Sequence, residues 1–277
     1  MRINKLSSRE KLVNLAMDEV YAARAVELAG GRVFGDSKDG VTNTIFCVHI
    51  SSVSGKYEDL VAMTPVSHIS TKAIRDIFFG VLRSLTDIGF TVVSVTTDGH
   101  RTNQSFHNSL GQHGVHPEYI LNPYSGGSDD RIYTMYDTVH LFKNMYFNFL
   151  NKKNLLCPPF PGSESPMNAK FAHLVKVYNM ENGSVAKMAY KLTDKVLHPT
   201  NFERVNVQLA ISATHETTTA ALDYFGQKEE HADFRQTAQY LRLVRKWFDV
   251  VDVKSAYTHS RLNDSTRNQS LRRSARV

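Results

Sequence analysis

The sequence predicts a mixed α/β sheet followed by a mostly α-helical domain. A pair of strand patterns joined by a short turn comes first, and helix and strand patterns then alternate up to about residue 150. This order is typical of a mixed sheet rather than of separate all-α or all-β domains. Beyond about residue 165, apolar residues recur at helical spacing, and no strand pattern or internal repeat stands out.

The first strand is predicted at residues 12–20, LVNLAMDEV, a short buried strand that ends near an acidic pair. Two further strands are predicted at about 44–53 and 57–66, with Ser54-Gly55-Lys56 as the hairpin turn between them. An antiparallel hairpin of this kind indicates that part of the sheet is not parallel.

The next elements alternate between helix and strand. A helix begins after Ser70, because its apolar residues fall on one stripe, and Gly89 is expected to end it. Residues 90–98 are apolar on both faces, which predicts a strand in the middle of the sheet. A short helix at 101–111, a loop at 116–130, a strand at 131–137 and a helix from Thr138 complete the series.

The composition changes after residue 150. Residues 151–170 are rich in Pro, Ser and Asn and are predicted to be a linker, and helical patterns follow at 171–181, 205–225 and 231–253. We therefore predict domains at 1–150 and 151–257 and a basic, disordered tail at 258–277.

Charge and composition favour some partners and exclude others. The net charge of +6 and pI of about 9.2 favour an acidic partner, nucleic acid first. The tail is either a solvated terminus or a segment for DNA contact or nuclear import. No apolar run reaches the roughly 18 residues of a membrane span, and the charged N-terminus lacks a signal-peptide centre, so we expect an intracellular protein. The two cysteines, Cys47 and Cys157, predict no cysteine zinc site.

Several familiar site motifs are absent. The chain has no G-x-x-x-x-G-K-[ST] phosphate loop, no dinucleotide fingerprint, no G-x-S-x-G elbow and no H-E-x-x-H pair. Four histidines lie close in sequence, but they lack the cysteines or the i, i+4 spacing of a zinc site; they are His100, His107, His113 and His116.

Three aspartates lie at or near predicted strand ends, namely Asp18, Asp98 and Asp137. Strand ends of an α/β sheet form the crevice where ligands bind, and carboxylates gathered there suit Mg²⁺. Two such ions about 4 Å apart support phosphodiester transfer. The alternative for each residue is a helix cap or a turn. That alternative is strongest for Asp137, which can cap the helix at Thr138, with His140 as a first-turn residue.

The ordered segments resemble the RNase H-like domain of P-element transposases and of related THAP-domain proteins. The blocks are MDEV, ELAGGRVFG, GKYEDLVAMTPV, GFTVVSVTTDGHRTNQSF and YDTVHLFKNMYFNFL. The stretch LTDKVLHPTNFERVNVQLAISATHETTTAAL resembles the helical GTP-binding domain that interrupts the RNase H fold in that family. The resemblance covers roughly residues 10–257.

The resemblance implies a nuclear DNA transposase, or a domesticated derivative, that cuts and joins DNA through two Mg²⁺ ions held by an Asp-Asp-Glu set. It assigns Asp18 and Asp98 as the two aspartates, with Asp137 and His140 lining the site. The third carboxylate follows the insertion in the family. Since no glutamate follows Glu230, we expect it to be missing and the chain alone to be a weak or inactive catalyst. The family's N-terminal zinc finger is also not found.

The resemblance also implies GTP binding without a phosphate loop. RKWFDVVDVKS resembles the stretch where an acidic residue reads the guanine edge, which makes Asp249 the candidate; Asp252 stands where Asn is expected. Alternatively, both aspartates are solvated beside core residues. DNA and GTP are the implied partners, and a homo-oligomer is compatible with the family. A non-enzymatic DNA- or protein-binding remnant, or a truncated reading frame, remains an open alternative.

Overall fold

The computed structural model describes residues 5–37, 40–54, 57–127, 130–159 and 165–252. The chain forms two compact units, Met1–Asp137 and Thr138–Val277. The predicted turn residues Gly55 and Lys56 and the predicted tail at 258–277 lie outside the described residues.

The first unit is built on a mixed sheet, as predicted. Its strands are β1 (Leu12–Tyr21), β2 (Glu27–Ala29), β3 (Arg32–Phe34), β4 (Asp36–Ser37), β5 (Gly40–Val41), β6 (Thr44–Ser52), β7 (Glu58–Val66), β8 (Thr91–Thr97), β9 (Tyr119–Leu121) and β10 (Arg131–Tyr136). Six of them form the main sheet in the order β7-β6-β1-β8-β10-β9. The three central strands β1, β8 and β10 are parallel, and the flanking strands are antiparallel to their neighbours.

Two helices, α1 (Thr71–Asp87) and α2 (Arg101–Leu110), cover one face of this sheet. Alternate residues of β1, Val13, Leu15 and Met17, join the same buried cluster as Phe78 of α1 and Phe106 of α2. This alternation is the two-residue period of a strand with one face buried. The core therefore lies on one side of the sheet.

The helix boundaries follow the predicted signals. The side chain of Ser70 accepts a hydrogen bond from the amide of Ala73, which caps α1. Gly89 has φ +90°, a left-handed conformation in which glycine carries no Cβ penalty, so the predicted stop is confirmed.

Short strands occupy regions that the sequence patterns did not identify. The predicted loop at 116–130 contains β9, which pairs with β10 at the sheet edge. Between β1 and β6 lie two small ribbons, β2–β3 and β4–β5. These strands have only two or three residues each, too few for a two-residue hydrophobic period to be visible.

The second unit is mostly helical, as predicted. Its elements are α3 (Thr138–Lys152), β11 (Asn154–Cys157), β12 (Met167–Lys170), α4 (Phe171–Met180), α5 (Asp194–Leu197), α6 (Val207–Ala213), α7 (Glu216–Phe225) and α8 (Phe234–Val251). Phe142 of α3 stacks on Phe248 of α8, with ring centroids 3.9 Å apart. Both residues belong to one large buried cluster.

The predicted linker at 151–170 is wrong in part, because it contains the antiparallel pair β11–β12. Met167 and Ala169 of β12 are buried, and Ala169 belongs to the buried cluster of the helical unit, which accounts for a strand at this position. The helical pattern predicted at 205–225 corresponds to two helices, α6 and α7. The side chain of His215 accepts a hydrogen bond from the backbone N–H of Thr217. This contact caps the start of a new helix, α7, after α6.

The two units divide between Asp137 and Thr138, whereas the sequence placed a boundary at 150/151. Helix α3 is included in the second unit because its apolar residues Phe142, Tyr146 and Phe149 join that unit's core. None of the helices within the described ranges has the length and apolar character needed to cross a membrane.

Candidate functional site at the carboxyl edge of the parallel strands

The three predicted aspartates lie at the same edge of the sheet. Met17 of β1 is opposite Thr97 of β8, and Tyr136 of β10 is opposite Thr97 on the other side. Asp18, Asp98 and Asp137 each follow one of these three residues. Since the strands are parallel, their carboxyl ends meet at one edge, the usual position of a ligand crevice in such sheets.

Asp18 lies within β1 and is exposed. Its Oδ1 accepts the backbone N–H of Glu19 at 2.8 Å. On the sheet face opposite α1 and α2, Asp18 borders a cavity of about 300 Å³ that Cys47, His49 and Glu58 also line. The carboxylate therefore faces a space that a ligand can enter.

Asp98 follows β8 and is held by the start of α2. Its Oδ1 accepts two hydrogen bonds, from the backbone N–H of His100 at 2.9 Å and from Nδ2 of Asn103 at 2.6 Å. Asp98 thus lies at the end of β8, as predicted, and its side chain also accepts hydrogen bonds from residues at the start of α2.

Glu19 is a site residue that sequence reasoning did not single out. Burial raises the pKa of Glu19, and the charges of Asp98 and Asp18 raise it further, whereas those of His100 and His68 lower it. The pKa of Glu19 therefore depends on the charges of both candidate ligands, Asp18 and Asp98. The signal in the sequence was the acidic pair in MDEV, from which only Asp18 was selected.

Asp137 and His140 belong to different units. The backbone N–H of Asp137 donates to the carbonyl of Thr97 at 2.8 Å, which continues the ladder between β10 and β8 past the last paired strand residues. Asp137 also immediately precedes α3, the N-cap position that the sequence predicts. His140 is half-buried in the first turn of α3, in the second unit.

A buried polar cluster lies directly behind Asp98. Thr97 Oγ1 donates to the carbonyl of Asp98 at 3.0 Å and lies 3.0 Å from Nε2 of His107. The rings of His107 and His116 are 4.7 Å apart, and both contact Tyr136. Burial, followed by the charge of His116, lowers the pKa of His107 to about 4, so His107 is neutral at pH 7.

The histidines that lie close in sequence form no metal site. Of the four, His107 and His116 have their rings in contact, and His107 is fully buried. Within the parts of the chain that the structure describes, no group of three or more His, Cys, Asp or Glu side chains is arranged to hold a metal ion.

The pair Asp18 and Asp98 nevertheless fits Mg²⁺. This ion prefers oxygen ligands and is usually bound through one or two carboxylates together with waters and substrate phosphates. Asp18 borders an open cavity, and both hydrogen bonds to the Asp98 side chain reach Oδ1. The residues present supply two carboxylates, and a third is not assembled among the described residues.

The candidate guanine-reading residues lie at the end of α8 in the second unit. Oδ1 of Asp249 accepts a hydrogen bond from Nε–H of Arg245 at 2.8 Å. The two residues are one helical turn apart and form an ion pair. Asp252 follows the last residue of α8 and is the last described residue. Phe248 is buried and Trp247 is partly buried against the same core, so the aspartates extend from a firmly packed helix end.

Comparison with known proteins matches both units to domain families. Residues 1–111 match the model described as TNP-like, RNase H N-terminal domain, and residues 139–264 match the model described as TNP-like, GTP-binding insertion domain. No curated protein matches the chain's sequence.

A solved structure has the same fold. It is described as the Drosophila P element transposase strand transfer complex, and it superposes with a TM-score of 0.72 at 18% sequence identity. The match covers 89% of this chain and 52% of the other, so this chain spans about half the length of that relative. The RNase H-like fold predicted from the sequence is confirmed.

Proposed function

Because this chain belongs to the family of P-element-like transposases, we propose that Asp18 and Asp98 hold Mg²⁺ at a site for cleaving and joining DNA strands. The observation that carries the proposal is their position on two adjacent parallel strands, each one residue beyond the last pair that joins β1 and β8, Met17 and Thr97. As a DNA-handling protein, the chain would act in the nucleus.

The protein's own contribution is to bind and orient. Mg²⁺ held there would activate the attacking water or hydroxyl and stabilise the leaving oxygen. Asp98 is fixed by two donors on Oδ1, so its orientation does not depend on a bound ligand. Asp18 faces the cavity on the open side of the sheet. Glu19, with its raised pKa, adds negative charge near both carboxylates when it is ionised.

A third carboxylate is the part of the site that Asp18 and Asp98 do not supply. None of the described residues completes a three-ligand group with them. We therefore expect binding of divalent cations with little strand cleavage. Nicking of supercoiled DNA by the purified chain in Mg²⁺ tests this, and robust nicking that is lost in Asp98→Ala would overturn the expected low activity.

A second candidate function is non-enzymatic binding of DNA by a domesticated remnant. The incomplete carboxylate group and the net charge of +6 both favour it. Contacts with phosphates release counterions, so DNA affinity should fall steeply as salt rises. Under this function, Asp18→Asn and Asp98→Asn leave DNA affinity unchanged, and a loss of DNA binding in those variants argues for the metal-dependent function instead.

We further propose that the second unit binds GTP and that Asp249 reads the guanine edge. A carboxylate can accept from guanine N1–H and N2–H₂, a pair of donors that adenine does not present. The ion pair with Arg245 orients Asp249 at the end of α8 and leaves its second oxygen outside that hydrogen bond. The family model that matches residues 139–264 is named for GTP binding, which supports the proposal.

A further inference from the structure

The buried face of α2 carries an unusual polar residue, Asn103. Its neighbours on this face are Phe106 and His107, and Asn103 itself is only 3% exposed. An apolar residue is the ordinary choice at such a position, because it needs no hydrogen-bond partners. The amide of Asn103 therefore requires an explanation.

Asn103 is only partly satisfied within the fold. Its Nδ2 donates to Oδ1 of Asp98, whereas its own Oδ1 has no hydrogen-bond partner among the described residues. A buried carbonyl without a donor destabilises the folded state. The contact with Asp98 is the one polar contact that this side chain makes in the described structure.

The contact determines which oxygen of Asp98 is available. The donors from His100 and Asn103 both reach Oδ1, and no described residue donates to Oδ2. With Oδ1 fixed at two points, the carboxylate cannot rotate to exchange its two oxygens. Oδ2 is then the atom that remains to bind a cation at the sheet edge.

The backbone of Asp98 is held from the same side. The Thr97 hydroxyl has a single proton and donates it to the carbonyl of Asp98, so its contact with His107 requires the proton on Nε2 of that ring. His107 lies one helical turn beyond Asn103 on α2. One helix face therefore fixes both the main chain and the side chain of Asp98.

From this geometry we propose that Asn103 is a positioning residue, which holds Asp98 so that Oδ2 is presented to a divalent cation. The proposal rests on the proposed metal-binding function of Asp18 and Asp98. Asn103 does not touch the cation; it acts through Asp98. Loss of an outer partner of a metal ligand typically weakens metal affinity about 10- to 100-fold.

The test compares Asn103→Leu, of similar size, with Asn103→Ala and with Asn108→Leu as a control on the same helix. Mn²⁺ serves as the probe, and binding to the full chain is measured by electron paramagnetic resonance of free Mn²⁺. We expect both Asn103 variants to bind Mn²⁺ at least about tenfold more weakly. Their thermal midpoints should be equal to or higher than that of the unmodified chain, and Asn108→Leu should retain full affinity.

A second readout follows Asp98 without any metal. The backbone amide proton of His100, which donates to Oδ1 of Asp98, should shift in the ¹H–¹⁵N spectrum of both Asn103 variants but not in Asn108→Leu. Unchanged Mn²⁺ affinity together with an unchanged His100 resonance would overturn the proposal. Failure of both Asn103 variants to fold would also overturn it, since it would show a structural requirement for Asn103.

The two proposals fail in different ways. If the unmodified chain binds no Mn²⁺, the metal-binding function is contradicted, and the His100 resonance still decides whether Asn103 holds Asp98. If the unmodified chain binds Mn²⁺ and the Asn103 variants bind it equally well, only the positioning role is contradicted.

Discussion

Met17 and Thr97 are opposite one another in the parallel pairing of β1 and β8, and each is followed by an aspartate. Both residues are buried on the core side of the sheet, and the aspartates follow at the point where the pairing of β1 with β8 ends. The Asp137 amide bonds to the carbonyl of the same Thr97, which brings the third parallel strand to this point. Thr97 is thus the common neighbour of all three candidate residues.

His107 should make the stability of the first unit depend on pH. Burial, and then the charge of His116, lowers its pKa to about 4 from the ordinary value of 6.5. Between pH 6.5 and 4 the unfolded chain therefore binds a proton that the folded chain does not. The stabilisation is complete above pH 6.5 and is lost as the pH falls toward 4, by about 3 kcal/mol.

Urea unfolding followed by circular dichroism at several pH values measures this effect. Tryptophan fluorescence is not suitable, because the single tryptophan, Trp247, lies in the second unit and His107 lies in the first. His107→Gln should flatten the dependence between pH 6.5 and 4, whereas His113→Asn, at an exposed histidine, should retain it. Equal slopes for the unmodified chain and His107→Gln would contradict the assignment.

Replacing each of two glycines in the first unit by alanine should change the stability of that unit in opposite directions. Gly80 lies on the exposed side of α1, and an added Cβ would meet no atom within 4 Å. Gly80→Ala should therefore stabilise the unit by about 1 kcal/mol through helix propensity.

At Gly111 an added Cβ would lie 1.9 Å from the carbonyl oxygen of Val115, so Gly111→Ala must displace the backbone after α2. It should lower the thermal midpoint, and Gly80→Ala should raise it. A matching change in both variants would show that the turn after α2 does not require glycine.

How far the sequence predicts this fold depends on the length of each pattern. The stripe on α1 extends over enough residues to be recognised and is found as predicted. The strand predicted at residues 12–20 is also found, although it is buried on one face only. Gly111 was correctly placed at a helix end, but the reason is a close approach to Val115 and not a left-handed φ.

The sequence predicts individual residues of the candidate site, but not the contacts between the elements that carry them. The predicted strand ends indicate Asp98, which directly follows β8, whereas β1 continues past Asp18 to Tyr21. The contributions of Asn103 and Glu19 depend on α2 and β1 meeting at one edge, and no local spacing encodes that contact. The short pair β11–β12 was missed because Pro and Ser dominate the composition around it.

The guanine-reading role predicts a preference between nucleotides. GTP should raise the thermal midpoint of the chain more than ATP does, since ligand binding to the folded state stabilises it. Asp249→Asn should remove most of this difference, because the amide has an NH₂ donor in place of one of the two acceptor oxygens.

Asp223→Asn is the matched control for this experiment, since Asp223 also pairs with an arginine, Arg242, within the same unit. That variant should retain the preference for GTP. Equal shifts with GTP and ATP in the unmodified chain would exclude a guanine-reading role for Asp249.

The most direct test of the account is the affinity of the purified chain for Mn²⁺, with Mg²⁺ as competitor, in Asp18→Asn and Asp98→Asn. Asp87→Asn serves as a control, since Asp87 is an exposed carboxylate at the end of α1. The account predicts binding that Mg²⁺ displaces, at least about tenfold weaker in either site variant and unchanged in the control. Equal affinity in all four proteins, or no binding by the unmodified chain, would contradict it.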